Sequence, residues 1–358
     1  MSLTHYRSLG RSGLIVSPMA LGTMTFGTKP WGVEKSIARD IFKTYIESGG
    51  NFVDTADIYS LGASEEMTGE FVRDMSLRDQ VVLSTKFAFN GSSSPLSANH
   101  SVGNPNAGGS GAKNIHRALE ASLKRLKTDY IDLYWMHIWD GVTPVEEIIR
   151  TLQDLVTSGK IRYYALSDMP AWLAMKAATI SNERRRSQPI AIQFEYSLVA
   201  RDIEREHVPM AMEAGMGIVP WSPLAGGFLT GKYRQEDTSN SGRLSGANPF
   251  GNSKFSDRNW LILNALKQVS KDQECTASQA ALAWLMGRPG VSSTLIGANT
   301  VPQLRDNLTS FDVILTPENR NLLDQVSARE LAFADTLATP EIRKMVYGGN
   351  NVSSYMEK

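Results

Sequence analysis

Eight short apolar runs recur along this chain, none of them alternating cleanly between apolar and polar residues. They are 17–22, 51–56, 80–87, 129–136, 161–166, 190–194, 217–221 and 292–297. Strands that are apolar on both faces belong to parallel sheets covered on both sides. Helical patterns near 34–48, 64–74, 113–127 and 143–159 lie among them. Gly49-Gly50 and Gly159 stop two of these helices, and Pro144 opens one at a position where its missing N–H is harmless. Strand and helix in alternation, eight times over, imply one sheet curled into an α/β (β/α)8 TIM barrel. Residues 6–16 read as a hairpin ahead of it, turning at Gly10 to Gly13.

Length agrees with that architecture. At 358 residues the chain exceeds the ~250 of a plain barrel, leaving room for insertions. The sequence reads as one domain over 1–358, with a core of about 6–328 and a tail of 329–358. Two stretches, 88–112 and 225–255, are rich in Gly and Ser and follow strand ends, so both are expected to overhang the reactive face. The alternative is that they are passive insertions. Lys plus Arg and Asp plus Glu both number 37, so no basic face is implied, and nucleic acid is not an expected partner. No run reaches the ~18 apolar residues of a membrane span. The start carries no signal-like apolar core, and the one cysteine, Cys275, suits a reducing compartment. A cytoplasmic location is expected.

All strand carboxyl ends of such a barrel open on one face, where its chemistry is built. Four residues fall at those ends: Asp54 and Tyr59 after the second run, Lys86 after the third and His137 after the fourth. A phenol, an ammonium, a carboxylate and an imidazole can together deliver a proton to a carbonyl oxygen. Lys86 would favour tyrosinate and lower the Tyr59 pKa, Asp54 would hold Lys86 charged, and His137 would orient the oxygen. Singly, each has a plainer reading. Asp54 could cap or pair, Tyr59 could pack, His137 could be structural, and Lys86 could be a strand-end lysine or a Schiff-base lysine. The five histidines include no His-x-His or other metal-ligand cluster, so no metal is expected.

Asp54-Thr-Ala-x-x-Tyr59, Ser84-Thr-Lys86 and Asp132-Leu-Tyr-x-x-His137 resemble, in order and spacing, the tetrad motifs of the aldo-keto reductases. The likeness runs from Tyr6-Arg-Ser-Leu-Gly to Leu295-Ile-Gly-Ala-Asn. The pattern is most like the bacterial, aryl-alcohol-dehydrogenase-like and potassium-channel β-subunit-like branches. The resemblance implies an NAD(P)H-dependent oxidoreductase that reduces aldehydes or ketones to alcohols reversibly, with Tyr59 as proton donor. The channel lineage carries Asn where this chain has His137, which favours a working enzyme. A non-catalytic cofactor-binding subunit and a Schiff-base lyase using Lys86 stand as the alternatives.

No Gly-x-Gly-x-x-Gly opens a helix after a strand, so the nicotinamide must be held without a Rossmann turn. The resemblance implies that Trp221 stacks on it, that Ser167 and Gln193 bond its carboxamide, and that Thr23 and Met24 lie beside its ribose. Asp168 stands where the family commonly has Asn. Ser222, Pro223 and Leu224 match the pyrophosphate segment. Gly226 to Lys232 fits Gly-x4-Gly-Lys, but Tyr233 replaces the Ser or Thr of an ATP loop. Lys232 and Arg243 would clamp phosphates there, the alternative being solvated surface charges. Gly297, Asn299, Gln303 and Asn307 match the adenosine segment, at the start of a helix near Val301. NADPH is expected on family grounds, with NADH left open. Trp31, Phe87 and Trp139 are expected to line an aromatic substrate pocket, or else to pack at the rim. The particular substrate and the oligomeric state are not legible.

Overall fold

The computed structural model describes residues 3–27, 32–90, 104–235, 243–244 and 254–353. A hairpin, β1 (Arg7–Ser8) with β2 (Ile15–Val16), comes first. The sheet that follows contains β3 (Met19–Gly22), β4 (Phe52–Asp54), β5 (Val82–Phe87), β6 (Ile131–Met136), β7 (Ile161–Ser167), β8 (Ala191–Gln193), β9 (Gly217–Ile218) and β10 (Thr294–Ile296). All eight pair in parallel in chain order, except that β10 lies beside β3. The sheet curls until its edges meet. Ile218 N donates to Gly290 O at 2.9 Å, Ser292 N to Ile218 O at 2.9 Å and Leu295 N to Pro220 O at 3.0 Å. This is consistent with the expected (β/α)8 barrel. The seventh strand is shorter than the apolar run 217–221 because Pro220 has no N–H for a ladder bond.

The helices between are α1 (Lys35–Glu47), α2 (Ala63–Asp74), α3 (Ala112–Leu126), α4 (Val145–Thr157), α5 (Ala171–Glu183), α6 (His207–Ala214), α7 (Asp257–Asp272), α8 (Ala277–Met286) and α9 (Val301–Thr309). The first four fall within two residues of the sequence reading. Each strand has two destinations. Val82, Leu133, Trp135 and Ala165 fill the barrel interior with Phe52 and Val219. Leu83, Phe87, Tyr134 and Met136 face outward against Ile115, Leu119 and Ile149 of the helices. That double burial is why the strands show no alternation in sequence.

The hairpin closes the amino-terminal end. Leu9 and Val16 join the interior cluster, and Arg11 N donates to Gly215 O at 2.7 Å. Gly10 sits at φ +59, and a Cβ there would collide with backbone atoms of Ile190, Gly215 and Gly217. Beyond α9, helix α10 (Pro317–Val326) packs on α7, while α11 (Phe333–Leu337) and α12 (Pro340–Val346) keep Phe333, Met345 and Val346 largely exposed. Among the described residues no helix is long and apolar enough to cross a membrane. Much of the two long stretches, and Trp31 itself, lie outside the described residues.

Gly69, in the middle of α2, is where α2 meets the end of α3. A Cβ there would sit on the Leu126 carbonyl. Gly69→Ala should therefore cost about 1–3 kcal/mol, although Ala is the better helix former. Urea unfolding of the variant at least as resistant as wild type would show that the two helices separate freely.

Candidate active site

Strand pairing continues beyond the strand ends and brings distant residues onto one rim. Thr23 N donates to Asp54 O at 3.0 Å, Asp57 N to Lys86 O at 3.2 Å, His137 N to Phe87 O at 2.9 Å, and Trp221 N to Phe194 O at 2.9 Å. Asp54 faces Ser84 in register, and Lys86 faces Trp135. Because side chains alternate along a strand, Ser84 and Lys86 point inward together.

Lys86 is fully buried at the centre of this rim. Its Nζ donates to the Asp54 carboxylate, to Thr55 O at 2.8 Å and to Tyr59 Oη at 3.3 Å. Ser84 Oγ donates to the other Asp54 oxygen at 2.6 Å. Tyr59 lies edge-on to His137, with ring centroids 5.8 Å apart. The four residues expected to act together are thus in one cluster. Ser84 and the Thr55 carbonyl complete it, and both stand inside the motifs that pointed to the tetrad.

Burial opposes charge on Lys86, but Asp54 and Tyr59 outweigh it and hold its pKa above the usual lysine value. Lys86 lowers the Tyr59 pKa as expected, but a larger effect opposes it. Burial raises its pKa, Lys86 pulls the other way, and the net direction is up. The phenol is therefore protonated at neutral pH, the state a proton donor must start from. Burial, followed by Lys86, drives the His137 pKa well below the ordinary value, so the imidazole is neutral with a single N–H.

A second polar network lies behind the first. Glu65, fully buried on α2, accepts from Thr85 Oγ1 at 2.6 Å and from Arg125 Nε at 2.6 Å. Asp57 sits near it with one carboxyl oxygen buried and, among the described residues, unpartnered. Burial and Glu65 push its pKa up to about 8. A carboxyl whose folded pKa exceeds its unfolded value of about 3.9 contributes stability below about pH 4 that is lost as pH rises through the folded value. Asp57→Asn should then gain on wild type by roughly 1–3 kcal/mol between about pH 4 and pH 8. Denaturant unfolding at both pH values measures this, and parallel profiles would contradict it.

The strand ends of β7, β8 and β9 hold the residues expected around a nicotinamide. Ser167 and Gln193 are register partners; among the described residues Gln193 Nε2 is buried without a hydrogen-bond partner, and Ser167 Oγ is buried beside the Asp168 carboxylate, whose charge it favours. Like Gln193 Nε2, His137 Nδ1 is buried without a partner among them. Orphaned buried polar atoms are rare in folded proteins; Gln193 Nε2 fits the amide of a nicotinamide, and His137 lies where a substrate oxygen could meet it. Trp221 donates from Nε1 to Asp168 Oδ1 at 3.2 Å, and Ser222 Oγ accepts from Gly226 N at 3.2 Å. Leu224 follows through Pro223 at the start of a 3-10 turn, Ala225–Thr230. Gly226 and Gly227 both have positive φ there, and a Cβ on Gly227 would meet the Lys232 ammonium. Arg243 reaches back to Met24 Sδ at 3.6 Å. Thr23 spends its hydroxyl on Asp54 O and Ser64 Oγ. At α9, Asn299 N donates to Gln303 Oε1 at 2.9 Å and Asn307 Nδ2 to Gly297 O at 3.3 Å.

One aromatic expectation changes. Phe87 does not face the site: it is fully buried on the outer side of β5, 4.9 Å from the Tyr134 ring. Its place is taken by Phe89, whose ring meets His137 edge-on at 4.9 Å. Ala88, at φ 128, breaks the strand alternation between them and packs in the outer cluster. Trp139 is half-buried, edge-on to Trp172 at 6.1 Å.

Comparison with known proteins accords with this geometry. The aldo/keto reductase family profile matches residues 18–328. A norsolorinic acid reductase of Aspergillus flavus is 33% identical over 342 residues, covering 92% of this chain and 83% of that protein. A probable voltage-gated potassium channel subunit beta of Oryza sativa is 34% identical over 331 residues, covering 90% and 96%. An NADP(+) aryl-alcohol dehydrogenase of Phanerodontia chrysosporium is 31% identical over 331 residues, covering 87% and 83%. With the family profile spanning most of its length and the tetrad motifs gathered at one rim, this chain belongs to the aldo/keto reductase family.

Proposed function

We propose that this protein is an oxidoreductase that reduces aldehydes or ketones to alcohols, reversibly, with NADPH as cofactor and Tyr59 as proton donor. A single barrel domain with its core at about 6–328 would carry the whole site. The observation that supports this most is the Lys86 ammonium bonded at once to Asp54 and Tyr59, with His137 beside the phenol.

Bound NADPH supplies the hydride. The protein has to bind the carbonyl, orient it and furnish a proton. The neutral His137 imidazole offers one N–H to the carbonyl oxygen. Tyr59 gives its proton to that oxygen, and the resulting phenolate is met by Lys86, which Asp54 keeps charged and in place. In the reverse direction the same phenolate removes the proton. Ser167 and Gln193 would take the carboxamide, Trp221 the ring face, and Thr23 and Met24 the ribose. Ser222 to Leu224, Gly226, Lys232 and Arg243 would hold the phosphates, with Gly297, Asn299, Gln303 and Asn307 at the adenosine. Phe89, with Trp139, is the aromatic wall that replaces Phe87. The lone cysteine fits a cytoplasmic home.

A Schiff-base lysine must offer a neutral amine. Lys86 is held charged by Asp54, which argues against a lyase. The channel-subunit relative favours a second reading, a cofactor-binding protein without turnover. Titrating the protein separately with NADPH and NADH, followed by tryptophan fluorescence, and then measuring NADPH oxidation with a panel of aldehydes and ketones separates the two. Binding with turnover supports the reductase. Tight binding with no turnover across the panel supports the second reading, and no binding of either nucleotide rejects both.

A further inference from the structure

Asp168 is the one position of the nicotinamide rim where this chain departs from the expected neutral amide, and its surroundings give that departure a consequence. It follows the last residue of β7 directly. Its backbone is left-handed at φ 45, a conformation Asp and Asn tolerate better than most residues. Its N–H donates to Gln193 O at 3.3 Å, which fixes it to the end of β8. Its carboxyl oxygen accepts from Trp221 Nε1 at 3.2 Å. It therefore stands among Ser167, Gln193 and Trp221, the residues assigned above to the carboxamide and the ring face.

We propose that the Asp168 carboxylate sets the redox preference of the nicotinamide site, binding the oxidised cofactor more tightly relative to the reduced one than a neutral side chain would. The inference rests on the cofactor reading above. The oxidised nicotinamide ring carries a formal positive charge and the reduced ring carries none. A carboxylate in the same recess interacts with that charge in only one of the two states. Interactions common to both states, with the carboxamide, the phosphates and the adenosine, cancel in the comparison. For unit charges a few ångströms apart in a partly screened protein site, the discrimination amounts to about tenfold or more in relative affinity.

The charge state of Asp168 is itself adjustable. Burial raises its pKa to about 6, and the hydrogen bonds from Trp221 and Ser167, with the Lys86 charge, resist the rise. The group is thus mostly ionised at neutral pH and gains a proton in mild acid. Among the described residues the ionisable groups around it are Lys86 on β5, Tyr59 after β4, Glu195 after β8 and His207 on α6, and Arg243 acts in turn on Tyr59 and Glu195. Lys86 is committed to Asp54, and Glu195 accepts from Lys254 at 2.6 Å. His207 Nε2 lies 2.9 Å from Met169 O, one residue beyond Asp168. The neutral His137 carries no charge to the site in this range.

The test is calorimetric titration of wild type and Asp168→Asn with NADP+ and with NADPH, at about pH 5.5 and about pH 8, on either side of that pKa of about 6. Asn keeps the shape and can still accept from Trp221. The quantity read is the ratio of the NADPH to the NADP+ dissociation constant. In wild type it should rise with pH, and at the higher pH Asp168→Asn should lower it by about tenfold and flatten its pH dependence. Titration of the cofactor's own phosphates is shared by both forms and drops out. A ratio unchanged by Asp168→Asn, or a pH dependence that persists in it, would overturn the proposal while leaving the cofactor reading intact. Failure of wild type to bind either form would remove both. Should Asp168→Asn not fold, the wild-type ratio decides alone: if it is flat across the two pH values, the proposal falls.

Discussion

Tyr59→Phe is expected to leave the fold and cofactor affinity intact and to lower carbonyl reduction by about 10²-fold or more, the scale of general acid catalysis. The substitution removes one oxygen and keeps the ring that lies against His137. Among the described residues the lost oxygen's hydrogen bond is the 3.3 Å one from Lys86, which retains Asp54 and Thr55 O. Steady-state NADPH oxidation with a panel of aldehydes and ketones, wild type against variant, gives the answer. Quinone-like acceptors should be assayed apart, because they need not take their proton from Tyr59. Full activity of the variant on ordinary ketones would end the mechanism.

The largest loss of stability should come from Lys86→Met. Met fills similar volume but leaves the Asp54 carboxylate buried beside Ser84 Oγ with no cation. Removing one partner of a buried ion pair costs about 3–5 kcal/mol, because the remaining charge is uncompensated. Activity should fall as well, since no ammonium would stabilise the phenolate. Combining Lys86→Met with Asp54→Asn should restore much of the stability and none of the activity. Combining it with Tyr59→Phe should cost little further rate, because both act on one proton transfer. Urea unfolding and the same steady-state assay measure both effects. A Lys86→Met protein as stable as wild type would mean that Asp54 is neutral or solvated in the folded state.

The barrel strands were legible because a strand buried on both faces must be apolar throughout, and helices of the right length stood among them. Helix ends at Gly49-Gly50 and Pro144 were legible for local backbone reasons. The tetrad was legible because each member sits within a few residues of a strand end, and barrel topology alone brings strand ends to one rim. The direction each side chain faces was not. In a strand with apolar residues on both sides, a shift of one position moves a residue from one face to the other without changing the pattern. That is why Phe87 was expected at the site and Phe89 was not, and the backbone of Ala88 decides between them.

Residue types at known strand ends therefore determined that a phenol, an ammonium, a carboxylate and an imidazole would meet, and in what family of proteins. Their protonation states are a different matter, since these depend on water excluded by segments far away in the chain. The Tyr59 phenol is raised where Lys86 alone would lower it, because desolvation by the packed rim is the larger effect. Asp168 reads in sequence as a departure from a family pattern. Only the fold sets it against Trp221, 53 residues on, where partial burial raises its pKa to about 6. Sequence order could supply the groups, and the tertiary structure alone sets their distance from one another and from solvent.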